Sequence, residues 1–269
     1  MQDIALIIST TLMYSTPLIF AALGGVFSEN SGIVNIGIEG MMTIGAFAGA
    51  AAGYMLGNPW LAFIIGGLAG GLFALVHALA TVTFNADHTI SGVAINLLAP
   101  GVALFASKIM FDGATMTPTI PMEQKIPRPL NGLFPSGSIL DTIFNAYATV
   151  FIAFILVAVT WYVLYKTKFG LRIRAVGEHP GAADTLGISV AKTRYAAVII
   201  SGILAGLGGA SMSLALVSSF RPTLISGHGY IAMAAVIFGK WRPQWAMAAC
   251  LLFGFSTALS VYFGNPELP

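Results

Sequence analysis

Long apolar runs separated by short polar links set the pattern of this chain. The runs are continuous rather than alternating, and most approach the twenty or so residues that a helix needs to cross a bilayer. The alternation of a transmembrane barrel strand is absent. The pattern predicts eight spans, at about residues 4–27, 38–56, 60–84, 89–106, 143–165, 195–219, 224–238 and 244–263. The expected fold is all-α, a polytopic transmembrane helical bundle of about eight spans. A single membrane domain would occupy residues 1–269, with a broken or kinked region near residues 28–40.

That region reads Ser28-Glu29-Asn30-Ser31-Gly32-Ile33-Val34-Asn35-Ile36-Gly37-Ile38-Glu39-Gly40. Backbone groups at membrane depth must be hydrogen-bonded within the protein. A polar, glycine-rich interruption therefore fits two situations. It is a turn outside the bilayer, with Ser28 or Asn30 capping the next helix, or it is a broken helix lining a protein-enclosed cavity. Pro17 predicts a bend in the first span. Spans 2, 3 and 6 are rich in Gly, Ala and Ser, which let helix backbones approach closely in lipid. Span 2 is accordingly expected at the centre.

Composition agrees: 57% of residues are apolar, 8% are charged, and the mean hydropathy is +0.87, against about a quarter charged in soluble domains. The beginning Met1-Gln2-Asp3 lacks a basic region, so the first run is expected to be a retained span rather than a signal peptide. Of the twelve Lys and Arg, eight lie in two segments, 166–194 and 240–242. Alternation of eight spans puts these on one side, which the positive-inside rule makes the cytoplasm. The proline-rich segment 108–141 is then an extracellular loop, and the N-terminus is outside.

Several chemistries have no basis in the chain. There is no G-x-x-x-x-G-K-[ST] stretch, since Gly239-Lys240 is followed by Trp241. There is no His-Glu-x-x-His, no nucleophile elbow, and a single cysteine, Cys250, so neither a disulfide nor a cysteine metal site is expected. Nothing predicts an enzyme, a metal, a cofactor in this chain, or a nucleic-acid partner.

Two sets of residues remain as candidates. In the segment 166–194, Pro180 suits a first helical position and Gly187 the position past a helix end. Between them Ala182, Ala183 and Leu186 would share one face, with Glu178 and Asp184 nearby. Such a helix fits a groove in another protein; alternatively the basic residues anchor to anionic membrane lipid. The second set is polar at membrane depth: Asn35, Glu39, Asn96, His77 and His228. Ionisable groups there are costly and point to function. Glu39 is open between structural pairing and lining a path. Asn35 and Asn96 read as path-lining, His77 as an interhelical hydrogen bonder, and His228, on the outer side, as a gate or a turn.

These residues carry a resemblance. Ser31-Gly32-Ile33-Val34-Asn35-Ile36-Gly37-Ile38-Glu39-Gly40-Met41-Met42 resembles the signature after the first span of importer permeases of the ATP-binding-cassette (ABC) class, of the branched-chain amino acid and simple-sugar type. The form N-x-G-x-E-G-M-M is similar to their nucleoside-importer branch. Ser91-Gly92-Val93-Ala94-Ile95-Asn96 resembles that family's S-G-x-x-x-N on the fourth span. Arg174-Ala175-Val176-Gly177-Glu178 through Gly187 resembles its coupling loop, and Ile231 to Pro243 its penultimate hairpin. Family members usually continue past a stretch like Pro266-Glu267-Leu268-Pro269 into another span, where this chain stops.

The resemblance implies the shorter of two permease subunits in a bacterial cell membrane. ATP and Mg would be bound by a separate ATP-binding subunit docked on Pro180–Leu186. A second homologous permease would complete the path, and an extracellular substrate-binding lipoprotein would deliver a nucleoside to it. Asn35, Glu39, Asn96 and His228 would lie along the substrate pathway. Alanine at Asn35, Glu39 or Asn96 would then lower uptake without lowering assembly. The alternatives are a permease for a simple sugar or branched-chain amino acid, an ion-coupled secondary transporter using Glu39, and a purely structural subunit of a membrane complex.

Overall fold

The computed structural model describes residues 2–135 and 138–264. The stretch Pro266–Pro269, where the chain departs from the family pattern, lies outside the described residues. The described residues form eleven α-helices, two π-helical extensions, one 3-10 turn and no strand. They are α1 (Gln2–Asn30), α2 (Ile38–Leu56), α3 (Pro59–Ala78), α4 (His88–Met110), α5 (Ile139–Phe144), α6 (Ala148–Lys166), α7 (Lys168–Glu178), α8 (Pro180–Thr185), α9 (Val190–Ser211), α10 (His228–Phe238) and α11 (Pro243–Phe263). Helix starts follow local chemistry. Asn58 accepts from Trp60 N and Leu61 N ahead of α3. Asp87 accepts from Ile90 N at the start of α4, and Ser189 from Lys192 N at that of α9, as N-caps do.

The span count needs correction. Among the described residues six helices are long and apolar enough to cross a membrane: α1, α3 with its extension, α4, α6, α9 with its extension, and α11. The predicted span at 224–238 reduces to α10, whose 11 residues reach only about 16 Å, roughly half of the ~30 Å hydrocarbon core. The predicted span at 38–56 is the helix α2, which is not among these six. Pro17 lies inside a continuous α1.

The core forms where small residues meet. α9 packs against α1, α2 and α3, and its Ser201, Gly202, Ala205, Gly206, Gly208 and Gly209 are all buried. Backbones touch here: a Cβ built on Gly70 of α3 would lie 2.7 Å from the Gly206 Cα. Without a hydrophobic force between helices in lipid, close backbone packing of this kind drives association. α2 is buried along most of its length, which matches its expected central place.

The bundle has two distinct ends. At one, Arg194 Nε donates to the Ser31 carbonyl at 3.3 Å and Asn30 Nδ2 to the Trp241 carbonyl at 3.2 Å, so the basic segments 166–194 and 240–242 meet. At the other, Thr117 N donates to Phe220 O and Ile120 N to Ser218 O, joining the proline-rich loop to the chain that leads into α10.

Candidate functional site

The polar break, residues 31–37 between α1 and α2, packs against α3, α4 and α9, with Val34 as its exposed residue. From the basic end it climbs along the first turns of α4. Val34 N meets His88 Nδ1 at 3.4 Å, and Gly37 and Ile36 lie against Gly92, where a Cβ would have no room. Other helices satisfy its backbone. His77 of α3 is fully buried and bridges Ser91 Oγ of α4 at 2.9 Å and the Val34 carbonyl at 3.3 Å, the interhelical role expected of it. Ser28 Oγ donates to the Ile33 carbonyl at 2.7 Å. Gly32 takes φ +85°, a conformation that favours glycine.

At the top of the break three segments converge on two side chains. Glu39, in the first turn of α2, accepts from Gly227 N at 2.6 Å and from Gly229 N at 2.7 Å. A carboxylate thus caps α10, where free N–H groups and the helix dipole favour negative charge. Asn96 Oδ1 accepts from Gly40 N at 2.8 Å, while its Nδ2 donates to the Ile36 carbonyl and to Tyr230 Oη, both at 2.9 Å. Asn96 lies eight residues into the 23-residue α4, about 12 Å from its start along the axis, so this junction lies inside the bundle, about a third of the way along α4. His228 also belongs here rather than to the outer side, because α10 begins within the bundle; its Nδ1 pairs with the Ile225 carbonyl at 2.7 Å.

Glu39, Asn96 and His228 are therefore brought together, each half-buried. Asn35 is not with them. It is fully buried and donates from Nδ2 to Ser201 Oγ of α9 at 2.9 Å, while its Oδ1 has no hydrogen-bond partner. Because Glu39 and Asn96 pair with backbone groups, alanine at either would disturb folding as well as any path. Tyr230 is the residue that sequence reasoning missed. Its signal was slight: an aromatic directly after the Gly-His-Gly of residues 227–229.

At the basic end, Pro180 opens α8 and Gly187 follows it with φ +77°, as their residue types predict. The expected shared face of Ala182, Ala183 and Leu186 divides, however. Ala183 is 2% exposed and turned into its own chain, whereas Leu186 is 80% exposed, with Ala182 and Asp184 also exposed. A six-residue helix lying on the bundle has to bury one side, and Ala183 is on it. α7 is fixed firmly. Gly170 rests on the Val163–Leu164 backbone and Gly177 on the Asn30 carbonyl, both without room for a Cβ. Arg174 Nε donates to the Leu164 carbonyl at 3.1 Å, with its guanidinium 4.9 Å from the Tyr165 ring centre. Glu178 borders a cavity of about 510 Å³ together with Glu29, Arg174, Lys240 and Trp241, and Trp241 Nε1 donates to Glu29 across it. Among the described residues no group of three His, Cys, Asp or Glu is placed to hold a metal.

Comparison with known proteins supplies the family. The chain is 47% identical over 269 residues to the guanosine ABC transporter permease protein NupQ of Bacillus subtilis, covering 97% of this chain and 83% of that one. It is 43% identical to the nucleoside ABC transporter permease protein NupC of Lactococcus lactis, covering 98% and 84%. It is 37% identical to the putative glucose ABC transporter permease protein TsgC13 of Haloferax volcanii, covering 95% and 77%. No solved structure matches the chain. The family described as the permease component of branched-chain amino acid transport systems matches residues 7–269, and with its apolar helices and polar break this multi-pass membrane protein belongs to that family.

Proposed function

We propose that this chain is the membrane-spanning permease subunit of an ATP-driven nucleoside importer. The observation that carries the reading is near-full-length identity above 40% to permeases named for guanosine and nucleoside transport. The polar junction of Glu39, Asn96 and His228 gives the nucleoside a place in the path. The Glu39 carboxylate accepts from the backbone of Gly227 and Gly229, with the Tyr230 N–H also directed at it, and its remaining acceptor capacity is suited to ribose hydroxyls as water is stripped away. The half-buried side of this junction is closed by a second permease, because polar groups within the membrane do not face lipid. Asn35 acts one layer behind, bracing the break against α9.

ATP and Mg are held by a separate ATP-binding subunit at the basic, cytoplasmic end, docked on Ala182, Asp184 and Leu186 with Glu178 beside them. A substrate-binding lipoprotein presents the nucleoside at the opposite end. Closure of the ATP-binding subunit moves α8 and α7, and Gly177 passes the movement to Asn30 and the break. Tightly packed elements shift between discrete arrangements rather than bending continuously.

The first test is isolation of the chain from its native membranes in mild detergent, with partners identified by mass spectrometry and uptake of labelled guanosine measured in vesicles. An ABC ATPase and a second permease are expected, with guanosine uptake that requires ATP and survives a protonophore. Recovery of the chain alone with uptake retained would overturn the importer reading. The glucose-named relative supports a second substrate reading, which ATP-dependent glucose uptake without guanosine uptake would establish.

A further inference from the structure

The path has an aromatic wall that its polar residues do not explain. Tyr230 stands in the first turn of α10, directly after Gly229. Its side chain is 48% exposed, yet its hydroxyl is held at 2.9 Å by Asn96 Nδ2. Asn96 is itself fixed on both sides, by Gly40 N and by the Ile36 carbonyl. The phenol oxygen is therefore pinned within the chain while a large part of the ring stays open. Tyrosines that face lipid place their hydroxyls at the membrane–water interface; this one is held on Asn96, about 12 Å inside α4 from its start. The half-buried Glu39 and His228 and the exposed Ser226 share its surroundings, and such groups need water or protein beside them, not acyl chains. The hydroxyl accepts from Asn96 and keeps its own O–H, so the broad feature that Tyr230 offers a passing solute is the π face of its ring.

We propose that Tyr230 is the stacking platform for the flat base of the nucleoside, and that it favours purine over pyrimidine bases. This rests on the nucleoside reading above and assigns the other half of the substrate. Glu39 lone pairs suit the ribose, whereas a base presents two planar faces and stacks on an aromatic ring whatever its edge pattern. The larger purine covers more of the ring. Pinning the hydroxyl fixes the ring before the base arrives, which lowers the ordering cost of binding. Tyr230 thus acts in affinity and selectivity, with no part in the ATP-driven step.

The test uses the whole transporter in membrane vesicles, with guanosine and uridine as labelled substrates, and compares Tyr230→Leu, Tyr230→Phe and Tyr230→Trp after checking that the ATPase and second permease co-purify with each. Tyr230→Leu keeps bulk but loses the π face; it is expected to raise KM for guanosine about tenfold, to leave kcat nearly unchanged, and to erase the preference for guanosine. Tyr230→Phe and Tyr230→Trp are expected to retain that preference. An assembled Tyr230→Leu transporter with unchanged KM and unchanged preference overturns the proposal and leaves Tyr230 as a contact to the second permease. If Tyr230→Leu does not assemble, loss of the preference in both aromatic variants overturns it instead. Absence of nucleoside uptake by the unsubstituted transporter overturns the nucleoside reading itself, and the stacking role with it.

Discussion

Glu39 and Gly229 are separated by 190 residues in sequence, yet the carboxylate of one accepts the backbone N–H of the other at 2.7 Å. Gly229 is glycine because a Cβ there would lie 2.6 Å from the Glu39 Cα. Ten residues before Glu39, Glu29 accepts from Trp241 at the other end of α10. Two carboxylates flanking the broken segment thus hold both ends of this half-length helix, so α10 and the break are tied to move together.

Glu39→Gln follows directly as a test. Glutamine retains one acceptor oxygen but turns an NH2 toward one of two backbone donors and removes the charge that favours the helix start. A charge-assisted hydrogen bond contributes about 1.5–3 kcal/mol, so the midpoint of thermal unfolding in detergent should fall and uptake should drop at least tenfold. Glu39→Asp, with the charge kept but the reach shortened, should fall between. An unchanged midpoint in Glu39→Gln would remove the capping role.

Asn96→Leu removes acceptor and donor together at one site. The Gly40 N–H, the Ile36 carbonyl and the Tyr230 hydroxyl all lose their partner. Leaving a buried carbonyl unpaired costs about 1–3 kcal/mol. Lower stability is expected together with lower guanosine affinity, because the Tyr230 ring is no longer pinned. If stability fell while the KM for guanosine held, the link between Asn96 and substrate would be broken and only its structural role would remain.

The close glycine packing makes an opposed pair of predictions. Gly70→Val places two methyl groups against the Gly206 backbone, and overpacking of this kind costs about 1–3 kcal/mol or more; membrane levels of the chain should fall sharply. At Gly101, also within a helix, nothing lies within 4 Å of an added Cβ. Gly101→Ala should therefore leave levels unchanged or raise stability by about 0.5–1 kcal/mol. Immunoblots of membranes and thermal unfolding read both.

These features differ in how far they can be seen in the chain itself. Continuous apolar runs predict eight spans, six of which are helices long and apolar enough to cross a membrane, and glycine and alanine density marks α2 and α9 as central, because both signals are local and carried by composition. The depth of α10 is not local. Residues 224–238 are apolar enough to read as a span, and the contacts of Glu39 to Gly227 and Gly229 and of Asn96 to Tyr230 show that the helix begins within the bundle. The split of Ala182 and Ala183 is likewise hidden, since helical spacing fixes which residues are neighbours but not which side meets α9. Asn35 and Asn96 both read as path-lining, yet Asn35 turns to Ser201, a partner 166 residues away that no pattern announces.

That split sharpens the prediction for the loop at the basic end. Leu186 is 80% exposed, so Leu186→Asp creates no buried charge within the chain and should leave membrane insertion and thermal stability within about 0.5 kcal/mol of the parent. In the assembled transporter the same carboxylate would have to enter the groove of the ATP-binding subunit, where an unpaired charge is strongly disfavoured. Transport-coupled ATPase activity is therefore expected to vanish while the chain remains in the membrane. Ala183→Asp should behave in the opposite order. Ala183 is buried against its own chain, so an aspartate there should loosen α8 and lower the level of the chain in the membrane before any partner is met. Equal loss of membrane protein in both variants would mean that Leu186 supports the fold, and coupling retained in Leu186→Asp would place the docking surface elsewhere on the basic end.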